Sequence, residues 1–201
     1  MTRASQTAAI DWGWAGRALE SESGDLHVVA PFAGGVLVAL IDGLGHGPEA
    51  AEAARGAARV LEDHAADPVV RLIERCHDAL RRTRGVVMTI ASLSAADSAM
   101  TWIGVGNVDA VLLRGEGRAD AAIAVRGGVV GYQLPPLRCG TVSISRRDLL
   151  ILATDGIRAG FTAGILVDCT PHEIAESILA RFARSSDDAH VVVVRYLGDS
   201  P

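Results

Sequence analysis

Between Gly85 and Thr154 the chain offers VVMTIASL (86–93), AMTWIGV (99–105), VDAVLLR (108–114), ADAAIAV (119–125), TVSIS (141–145) and DLLILAT (148–154). Each run is short, apolar and rich in β-branched residues, and turn signals divide them, among them Gly115-Glu116-Gly117 and Gly127-Gly128. No helical period interrupts the stretch. Strands that follow one another without an intervening helix pair antiparallel, because a parallel neighbour needs a long crossover.

Upstream, LHVVA (26–30) and VLVALI (36–41) are separated by Ala33-Gly34-Gly35 and read as a hairpin. Pro48 stands where a first helical residue tolerates proline, and the alanine-rich 49–65 continues as a helix. Asp67-Pro68 is expected to cap a second helix over 69–82, with Val69, Leu72, Ile73, Cys76 and Leu80 along one stripe. Downstream, Thr170-Pro171-His172-Glu173 has the form of a capping box opening a helix over 172–184, and HVVVVRYL (190–197) is a last strand. The first two dozen residues are weakly patterned. Strands, two helices, many strands, one helix and one strand predict an α+β fold: a layered α-β-β-α sandwich of two mainly antiparallel sheets flanked by helices. No repeat, low-complexity tract or linker appears, so residues 1–201 are expected to form a single domain.

Composition narrows the function. The 49% hydrophobic content supports a sizeable core, while 4% aromatic content means it is built from Val, Leu, Ile and Ala. Net charge is −5, from 19 basic and 24 acidic residues, which disfavours nucleic-acid or anionic-membrane partners. Every basic residue is arginine. Without lysine there is no P-loop and no Schiff-base chemistry. Cys76, Cys139 and Cys169 are odd in number and widely spaced, supporting neither a disulfide framework nor a zinc knuckle. MTRASQTAAIDWGW lacks the apolar core of a secretion signal, and VLVALI is far too short to span a membrane, so a soluble cytoplasmic protein is expected.

The chemistry concentrates in IDGLGHGPEA, residues 41–50. Gly45-His46-Gly47-Pro48-Glu49-Ala50 fits the dinucleotide fingerprint G-x-G-x-x-A after a strand and before a helix. Three features oppose that reading. Asp42 puts negative charge where a pyrophosphate would sit, Pro48 removes a helix N–H, and no second βαβ half follows. The metal reading gains from carboxylates in comparable places. Asp25 begins the strand expected to pair with the one ending at Asp42. Asp155 follows the strand 148–154 and is itself followed by glycine, and Asp187-Asp188 precede the last strand. Glycine after Asp42 and after Asp155 leaves room for a backbone carbonyl and a water to approach an ion. Taken singly, each is an ordinary turn or loop aspartate. Two carboxylates about 4 Å apart repel by about 4 kcal/mol at an effective dielectric near 20, so clustering them calls for a cation. Oxygen ligands without a His or Cys set favour Mg²⁺ or Mn²⁺. Two such ions bridged by one aspartate suit phosphate ester hydrolysis by activated water, with no covalent intermediate.

In order along the chain, SGD (23–25), DGLGHG (42–47), RG (84–85), GN (106–107), TDG (154–156) and DD (187–188) resemble the metal-dependent, type 2C protein phosphatases in their bacterial SpoIIE-like branch, over about 19–196. IERCHDALRRTRG, VGNVDAVLL and RGGVVGYQLP are similar to the RsbX-type stand-alone phosphatases of the stressosome. The resemblance implies a Mn²⁺/Mg²⁺-dependent phosphoserine/phosphothreonine phosphatase holding two ions, with a phosphorylated STAS-domain signalling protein (RsbS/RsbR type) as partner. It implies Asp42 as the carboxylate bridging both ions, the Gly43 carbonyl on the first, and Asp155 and Asp187 on the second. Asp25 would serve the first ion directly or through its water, and Asp188 would support or ligate. Arg84 and Asn107 match a strand-leading segment and a positioning residue, and His46 could assist leaving-group protonation. Departures are Val87 and His190, where relatives often carry Thr, and Leu44, where eukaryotic members carry His. Those losses keep open a second possibility, a non-catalytic phosphoprotein-binding pseudophosphatase.

Overall fold

A computed structural model describes residues 9–20, 22–115, 120–124 and 126–198. Among the described residues two five-stranded sheets pack face to face, each covered on its outer side by helix. The first sheet runs in the order β2 (Asp25–Phe32), β3 (Gly35–Gly43), β4 (Val86–Ser94), β5 (Ala99–Val105) and β8 (Gly140–Ser143). The second runs β1 (Ala9–Arg17), β10 (Ala189–Gly198), β9 (Leu149–Ala153), β6 (Asp109–Leu113) and β7 (Ala121–Ala122). Every strand pair is antiparallel.

Alternation along β3 shows how the layers form. Leu37, Ala39 and Ile41 point to helices α1 (Pro48–Asp63) and α2 (Val69–Ala79). Val36, Val38 and Leu40 point inward, against Leu150, Leu152, Val192 and Val194 of the facing sheet. Buried on both faces, the strand reads as a continuous apolar run instead of an alternating one. Each fully buried Leu or Ile contributes about 1.5–3 kcal/mol. Helix α3 (Pro171–Phe182) closes the other side on Ile151, Val191 and Val193 through Ile174, Ala175 and Ile178. The expected α-β-β-α sandwich is the fold observed.

Local readings hold unevenly. The turn at Ala33–Gly34 uses a positive φ of 89° at Gly34. Pro48 opens α1, and the Thr170/Glu173 capping box is complete in both directions. Asp67 does not cap α2; its carboxylate pairs with Arg75 at 2.7 Å, and Pro68 occupies the N-cap without a side-chain bond. The run 119–125 does not form a full strand: β7 has two residues, Ala121–Ala122, and Ala119 and Val125 lie outside the described residues. Of the turn Gly115-Glu116-Gly117 only Gly115 is described. Strand β1 was unexpected. Its alternation of Ile10, Trp12 and Trp14 covers only an edge, and Asp11, Gly13 and Gly16 dilute the β signal. No helix of the described residues is long and apolar enough to cross a membrane.

Candidate active site

Asp25 and Asp42 are direct partners across the β2–β3 ladder. Being two, four and six residues from inward-facing Leu40, Val38 and Val36, Asp42 emerges between the sheets at the sandwich's end. Opposed like charges are unfavourable on a sheet, so this pair is held there by the fold. Burial is the main cause that pushes the Asp42 carboxyl up to about 8, with the charges of Asp25, Asp155, Asp187 and Asp188 adding to it. Asp25 is pushed up to about 7, again mainly by burial; the Thr154 hydroxyl opposes the rise, and Asp188, Asp155 and Asp187 reinforce it.

The other sheet supplies the facing side. Burial and the charge of Asp187 raise Asp155; hydrogen bonding from Asn107 and the charge of Arg184 oppose that rise. Asn107 donates to Asp155 Oδ2 at 2.6 Å, the positioning contact its Gly-Asn turn allows. Asp42, Asp155, Asp187 and Asn107 line one cleft of about 320 Å³ with Leu19, Leu44, Val87 and Val129. The four widely separated aspartates thus meet at one end of the molecule.

Both Asp-Gly turns need glycine, for a reason other than access of an ion. A Cβ on Gly43 would lie 2.2 Å from the Ala50 carbonyl oxygen, because the first turn of α1 sits directly on the end of β3. A Cβ on Gly156 would lie 1.7 Å from the Asp188 carbonyl oxygen, because that turn presses against the chain entering β10. Close backbone approach sets Asp42 beneath a helix and Asp155 beside Asp187.

Asp188 has a separate task. It is buried, and accepts from Leu19 N at 2.6 Å, Ser23 Oγ at 3.0 Å and Gly24 N at 2.8 Å. Three donors tie the β1–β2 connection to the head of β10 and engage both of its oxygens. His46 lines the cleft but pairs with exposed Glu20 at 2.7 Å. Arg84 pairs with Glu49, and its guanidinium lies beside Gly45. Thr89 lies on the face of β4 that carries Val87, but it is buried between the sheets and donates to the Val108 carbonyl at 2.7 Å.

Two features escaped the sequence reading. Thr154 accepts from His190 N at 2.9 Å and donates to Asp25 Oδ2 at 2.8 Å, linking β10 to a carboxylate of the other sheet. Its place in Thr-Asp-Gly was visible; its partner, 129 residues away, was not. His27 Nδ1 and His190 Nε2 approach to 2.9 Å, and Trp14 stacks on His190 with centroids 5.1 Å apart. Burial and His27 push His190 down to about 3. Where a threonine was expected, His190 closes the seam between the two sheet edges.

The donors fit a hard divalent cation. All are oxygens, the buried Asp25 and half-buried Asp42 are carboxylates whose charge the fold penalises, and Asp155 and Asp187 lie in electrostatic reach. Among the described residues no three His, Cys, Asp or Glu side chains converge to hold one ion unaided. Magnesium is commonly held by one or two carboxylates with waters completing its shell.

The comparisons with known proteins agree with this architecture. Residues 33–197 match the family described as Stage II sporulation protein E (SpoIIE). Phosphoserine phosphatase RsbX of Bacillus subtilis (strain 168) is 27% identical over 122 residues, covering 61% of this chain and 61% of that protein. The chain thus aligns with under two thirds of that relative's length. Among solved structures, one described as "The bacterial stressosome: a modular system that has been adapted to control secondary messenger signaling" superimposes with TM-score 0.85 at 31% identity, over 93% of this chain and 100% of that one. RsbX in complex with magnesium shares the fold, with TM-score 0.81 at 22% identity over 92% and 94%. A match running from the β2–β3 turn into the end of β10 includes strands of both sheets and three of the four aspartates, Asp42, Asp155 and Asp187, and on it the chain belongs to the SpoIIE family.

Proposed function

We propose that this protein is a metal-dependent phosphoserine/phosphothreonine protein phosphatase. The observation that carries the reading is the in-register Asp25–Asp42 pair facing Asp155 and Asp187 across a cleft open to solvent. Asp42 would bridge two Mn²⁺ or Mg²⁺ ions, with the Gly43 carbonyl and Asp25 on one side and Asp155 and Asp187 on the other. Bound there, divalent cations supply Lewis-acid chemistry, lowering the pKa of a water and clamping a phosphate oxygen. The chain's own residues do the rest. Thr154 fixes the orientation of Asp25, Asn107 fixes Asp155, and Leu44, Val87 and Val129 provide apolar walls that limit water around the ester. Arg84, beside Gly45 at the mouth, is placed to meet a phosphate oxygen once it leaves Glu49.

The substrate we propose is a phosphorylated STAS-domain protein of the stressosome type, supported by the likeness to RsbX and to a stressosome structure. The test is phosphate release from such a protein with MnCl₂ or with EDTA, using wild type, Asp42→Asn and Asp155→Asn. Manganese-dependent release should fall at least about 100-fold in either variant, the range for removing a group that stabilises transition-state charge. Binding of the phosphoprotein without release in wild type would instead support the pseudophosphatase.

A further inference from the structure

At the opposite end of β6 and β9, three arginines line a second cavity. The five residues of β9, at about 3.3 Å each, set the two ends roughly 16 Å apart. There, Leu113, Arg114, Arg146, Arg147, Leu149 and Val167 enclose a cavity of about 270 Å³. Arg114 follows β6, and Arg146 and Arg147 form the turn leading from β8 into β9.

The site is built in two respects. Arg147 is a non-glycine residue at φ 74°, in the left-handed region, and its N–H is held by the Tyr196 carbonyl at 2.7 Å while Tyr196 N donates to Asp148 O at 3.0 Å. Hydrogen bonds on both sides hold this left-handed backbone and fix the direction in which the Arg147 side chain leaves it. Arg114 Nε is buried without a hydrogen-bond partner among the described residues, which leaves none of them accepting from this donor beside the cavity. The three neighbouring carboxylates match the three arginines in formal charge. Asp120 accepts from the Arg114 backbone N–H at 2.8 Å, Asp148 accepts from Ser145 N at 2.9 Å, and Asp168 pairs with Arg147. That last pair is largely exposed, with side chains 66% and 81% accessible, and such pairs are weak enough to exchange.

Guanidinium forks match tetrahedral oxyanions, whose oxygens accept two N–H bonds at once. We propose that this cavity binds a phosphate-class oxyanion, either free phosphate or the phosphoryl group of a phosphorylated side chain. It stands apart from the carboxylate cleft and does not rest on the phosphatase reading.

Titration of the full chain in EDTA, at fixed ionic strength, with inorganic phosphate by calorimetry tests it. Saturable one-to-one binding is expected, unchanged in Asp42→Asn and weakened about tenfold or more in Arg146→Gln/Arg147→Gly, as befits lost charge-assisted bonds. Glycine at 147 suits the positive φ, so that variant keeps its fold, which circular dichroism checks. A phosphoserine peptide and its unphosphorylated form make the second arm. A phosphopeptide that competes with phosphate assigns the site to a phosphoprotein, and phosphate binding alone assigns it to the free anion. Absence of saturable binding in wild type, or equal binding in the double arginine variant, overturns the proposal.

Discussion

Asp42 illustrates how a single residue can be costly to the fold that positions it. Its carboxyl and that of Asp25 are raised to about 8 and about 7, against 3.8 for the unperturbed group. The folded chain therefore binds more protons than the unfolded chain from about pH 4 upward, and stability falls as pH rises through the folded values. His27 and His190 act in the opposite sense, because both are lowered mainly by burial; their contribution is present above 6.5 and is lost as pH falls. Between about pH 6.5 and 8 only the carboxylate effect remains. In EDTA, the urea midpoint should fall steadily across that window, and Asp42→Asn should flatten the slope. A midpoint that rises from pH 6.5 to 8 would contradict the buried, mutually repelling pair.

Elements hold the site through caps and close approaches. Thr170 makes both halves of the capping box on α3, accepting from Glu173 N and donating to the Glu173 carboxylate, whose other bond comes from Thr170 N. Thr170→Ala should cost about 1 kcal/mol in chemical denaturation, leaving the cleft residues in place. Gly156→Ala belongs to a different class. Its methyl would collide with backbone at 1.7 Å, so the turn carrying Asp155 must move away from the chain carrying Asp187. Destabilisation of about 3 kcal/mol or more is expected, since backbone cannot give way as a flexible side chain can. Gly127→Ala, where nothing lies within 4 Å, serves as the control and should change stability by less than about 0.5 kcal/mol. Equal effects at the two positions would show that the Asp155 turn has slack.

For the whole molecule, the two sheets are separate supports for one cluster: Asp25 and Asp42 on the first, Asp155 and Asp187 on the second. A cation bridging them binds the folded state and not the unfolded chain, so it stabilises the sandwich by mass action. Manganese at about 100 times its dissociation constant should add about 2.7 kcal/mol and raise the melting temperature. Asp42→Asn and Asp155→Asn should each lose most of that rise. An identical melt in Mn²⁺ and EDTA would leave the bridged cluster without support.

The sequence by itself determined the layers and the acids. Strand runs 86–113 and 148–154, the Pro48 and Thr170 helix starts, and aspartates at strand ends are local patterns, because periodicity and turn chemistry act over a few residues. It misread what depends on partners: Asp67 found Arg75 instead of a helix end, the expected strand over 119–125 is reduced among the described residues to Ala121–Ala122 at a sheet edge, and β1 gained its pairing only from β10. Tertiary structure alone decided that Asp188 anchors a loop, that Thr154 reaches Asp25, and that Arg114 and Arg147 share a cavity. Those contacts join residues far apart in the chain, and only the packing of one sheet on the other fixes their distances.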